Sequence, residues 1–392
     1  MKFTKRAVAA LIAALLALTM VGCHEAKEIV ASYDDIEITG GMYLAMLLEA
    51  DGAARTLADE QNEGDAQIKD YGDVQIKNDG KVVDYYDYVK DETKKLVRQY
   101  IATETLAKEY KVTLSDEDKA GLDAYVSYLW DSYGYGIMYE ENGVNRASYT
   151  EYMRNAGYLR GNLFEAVYGK EGKTPVTEEE LKKYMNDNYC IANVITENLS
   201  NTDENGNTTT LTEDEAKDLL EKLNTYADRL TKGDADFETI FHEHNESEHE
   251  KEDTADADNK TDDKEADKDT EETTEETTEE TKEAPTKPLD SHATLLSSKE
   301  TGNESANFDE IYKMKVGEVK VIESEDSYTL VVKSDINADP YYIYSLDESL
   351  RQQIKGDEFN NKLDEEGGKL DIKYNNGEIS YLSPKKITYD VY

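Results

Sequence analysis

Residues 308–333 read FDEIYKMKVGEVKVIESEDSYTLVVK, and this stretch decides the class of the fold. Asn307 stands in front of FDEIYKM as the cap of a short helix. Val316-Gly317 turns the chain, and EVKVIES and YTLVVK follow as two strands rich in β-branched residues. The same alternation of helix and strand continues on both sides. Upstream, CIANVIT at 190–196 is a short apolar run and reads as a strand. Downstream, LDESLRQQIKGDEFNNKL opens at Ser345 and Glu348 as a helix. The tail holds β-like stretches at LDIKY and KKITYDVY, with Asn375-Asn376-Gly377 as a turn.

Between the first strand and the quoted stretch, Thr212 and Glu215 form a capping box. Ala216, Leu219, Leu220, Leu223, Tyr226, Ala227 and Leu230 make one apolar stripe on the helix that follows. Gly233 ends that helix, and a second, short one runs from about Asp236 to His242. Residues 245–284 are a different material. They contain no Val, Ile, Leu, Phe, Tyr or Trp, and Glu271 to Thr281 repeats Glu-Glu-Thr-Thr. Such a composition buries too little apolar surface to offset its ordering entropy, so disorder is expected, closed by Pro285 and Pro288.

The first part of the chain reads as mostly helical. IVASYDDIEI at 29–38 is one extended entry, and a helix opens at Thr39 or Gly40. Residues 51–81 are polar and Gly-rich and read as an irregular excursion. A long helical pattern returns over 82–110 through Val89, Leu96, Val97, Tyr100, Ile101 and Ala107. Ser115 caps 116–130, with Asp118 three residues on; Ser148 caps 149–168; Thr177 and Glu180 form a further capping box.

The N-terminus carries an address. Lys2, Lys5 and Arg6 precede an apolar run from Ala7 to Val21, which ends in Val21-Gly22-Cys23. This is a secretory signal. The run is shorter than the about 20 residues a membrane span needs. Cys23 after a small residue fits a lipobox, in which the cysteine is acylated and becomes the new N-terminus. Met20 stands where Leu is usual. The reading places the protein at the cell membrane, lipid-anchored on the extracytoplasmic face of a Gram-positive-type bacterium.

The 392-residue chain has a formal charge of −43. Such an excess of carboxylates repels phosphates, so nucleic acid is excluded as a partner. Cys190 is the single cysteine besides Cys23, which rules out a disulfide framework and a Cys-based zinc site. Its apolar neighbours mark it as a buried, inert thiol. His242, His244 and His249 stand amid carboxylates but lack a defined scaffold, so neither a metal site nor any cofactor is expected. Aromatic side chains are mostly tyrosine: 29 Tyr against 6 Phe and 1 Trp, a composition suited to half-wet binding faces. Tyr85, Tyr86, Tyr88, Tyr125, Tyr128, Tyr133, Tyr135 and Tyr139 are candidates for a client-binding groove, about half of them expected in the core instead. No P-loop, dinucleotide fingerprint, G-x-S-x-G or H-E-x-x-H occurs.

In order, the chain shows a lipobox, a helical segment, TEEELKKYMNDNY, a strand, DEAKDLLEKLNTYADRLTKGDADFETI and FDEIYKMKVGEVKVIESEDSYTLVVK. This resembles the parvulin-type foldase lipoproteins, PrsA-like and SurA-like, of the peptidylprolyl isomerase family. KGDADFETI and FDEIYKMKVGEV are the most specific pieces. The resemblance implies an α+β fold: a mostly helical N-/C-terminal chaperone-like lobe with an inserted parvulin-like α/β domain. The implied parts are a signal peptide at 1–22, a helical domain at 23–180, a parvulin-like domain at 187–338 interrupted by the acidic insert 245–288, and a C-terminal helix and tail at 340–392 packing on the lobe.

Parvulins act on X-Pro bonds, and the family site pairs two histidines with a Cys or Asp and a Met and Phe pocket. The first histidine position matches Asn193, the second Thr329, the pocket Phe matches Phe308, and the pocket Met falls on Glu304. The Cys/Asp position lies around Leu289 to Thr294. Asn193 and Thr329 are able to hydrogen-bond each other but cannot titrate. The site is therefore read as degenerate, with weak or no isomerase activity. The function implied is a lipid-anchored folding factor binding unfolded or nascent secreted proteins. An active isomerase with a divergent site and a non-catalytic surface assembly or spacer lipoprotein are the alternatives. A solute-binding lipoprotein lacks the two-lobed α/β pattern.

Overall fold

The computed structural model describes residues 28–62, 68–78, 80–202, 208–255, 285, 287–297 and 307–389, the side chains of 247–255 excepted. Cys23 and Glu304 lie outside the described residues, as do 256–284 of the acidic run. The fold is α+β. The chain divides into two compact units, one formed by the segment up to Val176 together with Lys355–Tyr392, the other by Thr177–Ile354. Among the described residues, no helix is long and apolar enough to cross a membrane.

The first unit begins with a hairpin rather than one extended strand. β1 (Ile29–Tyr33) pairs antiparallel with β2 (Ile36–Thr39). Asp34 takes φ 53° at the turn, a left-handed conformation that the short polar side chain of Asp tolerates. Thr39 then caps α1 (Gly40–Glu60) by accepting from the Met42 N–H. This helix runs well into the stretch read as irregular, because Ala50, Asp51, Ala54 and Ala58 all turn inward. β3 (Gln75–Asn78) and β4 (Lys81–Asp84) make a second hairpin, so residues 82–84 are strand and α2 begins later, at Tyr85–Tyr110.

Ser115 and Asp118 close the expected capping box on α3 (Asp116–Ser127). α3 passes into a π-helical segment, Tyr128–Ser132, and then into α4 (Tyr135–Glu141). The next helix starts earlier than its sequence suggests. Asn145, not Ser148, is the cap of α5 (Arg146–Met153), and the Ser148 N–H is the donor it holds. A second π-helical segment, Arg154–Leu159, joins it to α6 (Arg160–Tyr168). The core of this unit gathers Ile38, Met42, Met46, Val97, Ile101 and Trp130, all buried.

The second unit is a four-stranded antiparallel sheet flanked by helices. Thr177 and Glu180 cap α7 (Glu178–Asn188), which leads into β5 (Tyr189–Asn198). β6 (Ser200–Thr202) and β7 (Thr208–Thr210) form a small hairpin. α8 (Glu213–Lys232) starts at the Thr212–Glu215 box and ends on Gly233 with φ 73°. α9 runs from Phe237 to Ala255 and so enters the acidic run instead of stopping at His242. β8 (Ala293–Ser297), α10 (Phe308–Lys313), β9 (Val319–Glu323) and β10 (Ser327–Ser334) complete the unit's sheet in the order β8-β5-β10-β9.

α11 (Pro340–Ser345) precedes α12 (Asp347–Lys369), inside which the boundary at 354/355 falls. Phe359 of α12 packs edge-on against Phe164 with ring centroids 5.4 Å apart, both in the first unit. The tail is less β-like than its composition. β11 (Lys373–Tyr374) is two residues added to β1, and Asn375 caps a helix, α13 (Asn376–Tyr381), where a turn was read. Pro384–Lys386 form one 3-10 turn, and no strand follows through Tyr389.

Candidate functional site

Strand parity divides the second unit's sheet into two faces with different contents. Cys190, Ala192, Val194, Leu296 and Val331 point to one face, where Phe308, Ile311 and Met314 of the α10 region cover them. Ile195, Leu330, Val332 and Tyr328 point to the other, covered by Leu223 and Tyr226 of α8 and Phe237 and Ile240 of α9. β10 pairs with β5 so that Thr329 lies opposite Thr196 and Val332 opposite Asn193.

That register separates Asn193 from Thr329. Cross-strand partners share a face, and residues 193 and 196 are an odd number apart. Thr329 therefore sits on the α10 face and Asn193 on the α8/α9 face, and the hydrogen bond their side chains are able to make is not formed. Thr329 Oγ1 instead meets Thr196 Oγ1 at 3.2 Å and accepts from Asn307 Nδ2 at 3.2 Å. Asn307 stands at the cap position of α10 but makes no capping bond, because its side chain turns to Thr329. Phe308 is buried in the core of the same face, stacked on Tyr312. It fills space there and, among the described residues, borders no imidazole.

On the α8/α9 face, Asn193 has a partner that the sequence had bracketed without placing. Its Nδ2 donates to Asp290 Oδ2 at 2.8 Å. The other Asp290 oxygen accepts from the His292 N–H at 2.9 Å, and His292 Nδ1 stands 3.7 Å from it. The His292 ring lies against Phe241 with centroids 4.7 Å apart. Asn193 is 6% exposed, and its Oδ1 finds no hydrogen-bond partner among the described residues. A buried acceptor left in that state costs about 1–3 kcal/mol. Asp290 and His292 stand in DSHATLLS at the start of β8, but only the tertiary fold carries Asp290 to Asn193, 97 residues away.

Of the three clustered histidines, the two whose side chains are described do not converge. His242 is exposed beside Glu238, whereas His244 is buried with Nε2 3.2 Å from Glu197. The His249 side chain lies outside the described residues. Cys190 is buried, and burial pushes its thiol above the ordinary value by more than the Lys333 ammonium draws it down.

In the first unit, the eight candidate tyrosines split. Tyr85 is buried, Tyr86, Tyr88 and Tyr139 are half-buried, and Tyr125, Tyr128, Tyr133 and Tyr135 are exposed. The exposed ones form one surface. Tyr128 and Tyr133 lie 5.7 Å apart, Tyr133 and Tyr135 5.4 Å, and Ile137 is 54% exposed beside them in sequence. Tyr125 and Tyr128 are neighbours at helical spacing. Under this surface Trp130 stacks on Tyr139 and packs against Tyr149. Gly134 makes the turn between the tyrosines with φ 77°. Gly136 lets the backbone approach Trp130, since a Cβ there would come within 2.6 Å of the indole.

A cleft of about 640 Å³ lies elsewhere in this unit, lined by Val112, Leu114 and Leu122 with Lys108, Lys119 and Arg154. Each of its cations is already paired: Lys108 with Asp35, Lys119 with Asp116, Arg154 with Glu104 and Glu151.

Solved structures similar to the chain include two PrsA proteins. The foldase protein PrsA from Streptococcus pneumoniae matches at a TM-score of 0.35 and 16% identity, over 80% of this chain and 99% of its own. PrsA from Bacillus subtilis matches at a TM-score of 0.24 and 14% identity, over 82% of this chain and 94% of its own. No family profile and no curated protein matches the chain. Likeness this low assigns no residue and no activity.

Proposed function

We propose that this protein is an extracytoplasmic, lipid-anchored folding factor that holds unfolded secreted chains, anchored through Cys23. The observation that carries the reading is the exposed surface of Tyr125, Tyr128, Tyr133, Tyr135 and Ile137. Large half-polar rings left in water on a rigid base are suited to loose contact with unfolded chains. The second unit is read as a parvulin-like domain with weak or no isomerase activity. Asn193 and Thr329 carry no imidazole, and they lie on opposite faces of the sheet. A second reading, an isomerase with a divergent site, has one observation in its favour: Asp290 holds Asn193 with one oxygen and stands beside His292 with the other.

Two assays on the full chain test this. Aggregation of a denatured client should be suppressed at near-equimolar protein. X-Pro exchange in a test peptide, which takes tens to hundreds of seconds uncatalysed, should stay within about twofold of that rate. Strong acceleration that disappears in His292→Ala would establish the divergent isomerase instead. Failure to suppress aggregation would remove the holding function. Acyl mass at residue 23, absent in Cys23→Ala, tests the anchor.

A further inference from the structure

Resting on the holding function above, the geometry points to a specific client class: we infer that the tyrosine surface selects extended segments that combine apolar residues with Lys or Arg. The argument is one of charge around the patch. Residues 116–146, which contain all four exposed tyrosines, carry seven carboxylates against Lys119 and Arg146. Asp123, Asp131, Glu140 and Glu141 are exposed on the segments that bear the rings. Arg146 is bound to Asp131 at 3.1 Å, so it offers little free positive charge to an approaching anion.

A cation arriving at this surface meets two attractions together. The faces of exposed tyrosine rings attract ammonium and guanidinium groups. The rim carboxylates add a field that a Lys or Arg side chain reaches within a Debye length. The same field turns other occupants away. A second copy of this chain brings −43 of its own, and an anionic bilayer or a nucleic acid is repelled alike. Ile137 and the ring edges leave apolar area for the uncharged part of the segment.

The test uses the full chain and three fluorescent peptides that share one apolar core, flanked by Lys, by Gln or by Glu. Anisotropy titrations at about 50 mM salt should rank them Lys, Gln, Glu, with about tenfold between the first two. The gap should close toward 1 M salt, where the screening length falls to about 3 Å. Asp123→Asn/Glu140→Gln/Glu141→Gln should cut the preference for the Lys peptide from about tenfold to about threefold, the part left to the ring faces, and leave the Gln peptide unchanged. Tyr128→Ser/Tyr133→Ser, at exposed positions, should weaken both by about tenfold. Equal binding of the three peptides by the parent overturns the selection while leaving the holding function standing. Retention of the full Lys preference in the carboxylate variant overturns the role given to the rim. Absence of binding to every peptide, together with no suppression of aggregation, overturns both readings.

Discussion

Replacing Arg55 with Ala is expected to destabilise the first unit by about 3 kcal/mol. Arg55 Nε donates to Asp51 Oδ2 at 2.8 Å, and the Asp51 side chain is almost wholly buried at 1% exposure. The guanidinium also lies between two rings, 4.4 Å from the Tyr71 centroid and 4.2 Å from that of Tyr389 near the end of the chain. Tyr85 OH donates to Asp51 Oδ1 at 2.9 Å, and burial followed by the Asp51 charge drives that phenol far above its ordinary value, so it remains a donor. Removing one partner of a buried pair costs about 3–5 kcal/mol. Here the Arg55 side chain is 32% exposed, which lowers that contribution to about 2 kcal/mol. Loss of two ring contacts adds about 0.5 kcal/mol each.

Trp130, the single tryptophan, is buried in this unit and reports its unfolding in urea by fluorescence. The midpoint should fall, and Tm should drop by about 6–12 °C. Asp51→Asn added to Arg55→Ala should then recover at least about 1 kcal/mol, because the unpaired charge is gone. A loss below about 0.5 kcal/mol for Arg55→Ala would refute the reasoning. So would a double variant less stable than Arg55→Ala alone.

Two further predictions concern single groups. The Cys190 thiol, buried at 2% exposure and raised by burial, should react with a disulfide reagent at least about 100-fold more slowly in the native protein than in denaturant; prompt native labelling would contradict its placement under α10. Asp118 accepts first from Asn162 and then from Ser115, which holds its carboxyl below the ordinary value of 3.8. Its contribution is therefore present above that value and lost as pH falls below it. The stability gap between the parent and Asp118→Asn, read from urea midpoints, should narrow as pH drops through 4 toward 2. A gap that stays constant over that range would remove the carboxylate from the cap.

Where a signal is local, the residues announce the structure. The boxes at Ser115–Asp118, Thr177–Glu180 and Thr212–Glu215 form as their spacing requires, and Gly233 takes the left-handed conformation that ends α8. Each depends on atoms three or four residues apart. The structure departs from the sequence pattern where a local pattern has two solutions. IVASYDDIEI alternates as one strand or as two, and Asp34 decides for two. Residues 51–60 look polar, yet Asp51 is stabilised by Arg55 and Tyr85 inside the protein, so the helix continues.

By itself, then, the sequence determined the α+β class, the strands β5, β9 and β10, and the tyrosine-rich, carboxylate-rich composition of 116–146. It did not determine which side of the sheet a residue faces relative to a residue on another strand. A one-residue change of register turns every side chain over. Only the pairing of Thr329 with Thr196 and of Val332 with Asn193 placed the two matched positions on opposite faces. Likewise, Asp290 reaches Asn193 only because β8 folds back beside β5. Four of the eight candidate tyrosines were left in water by the packing of Trp130, Tyr139 and Tyr149 beneath them. Such contacts close long loops, and what selects them is the burial of the whole core rather than any short run of residues.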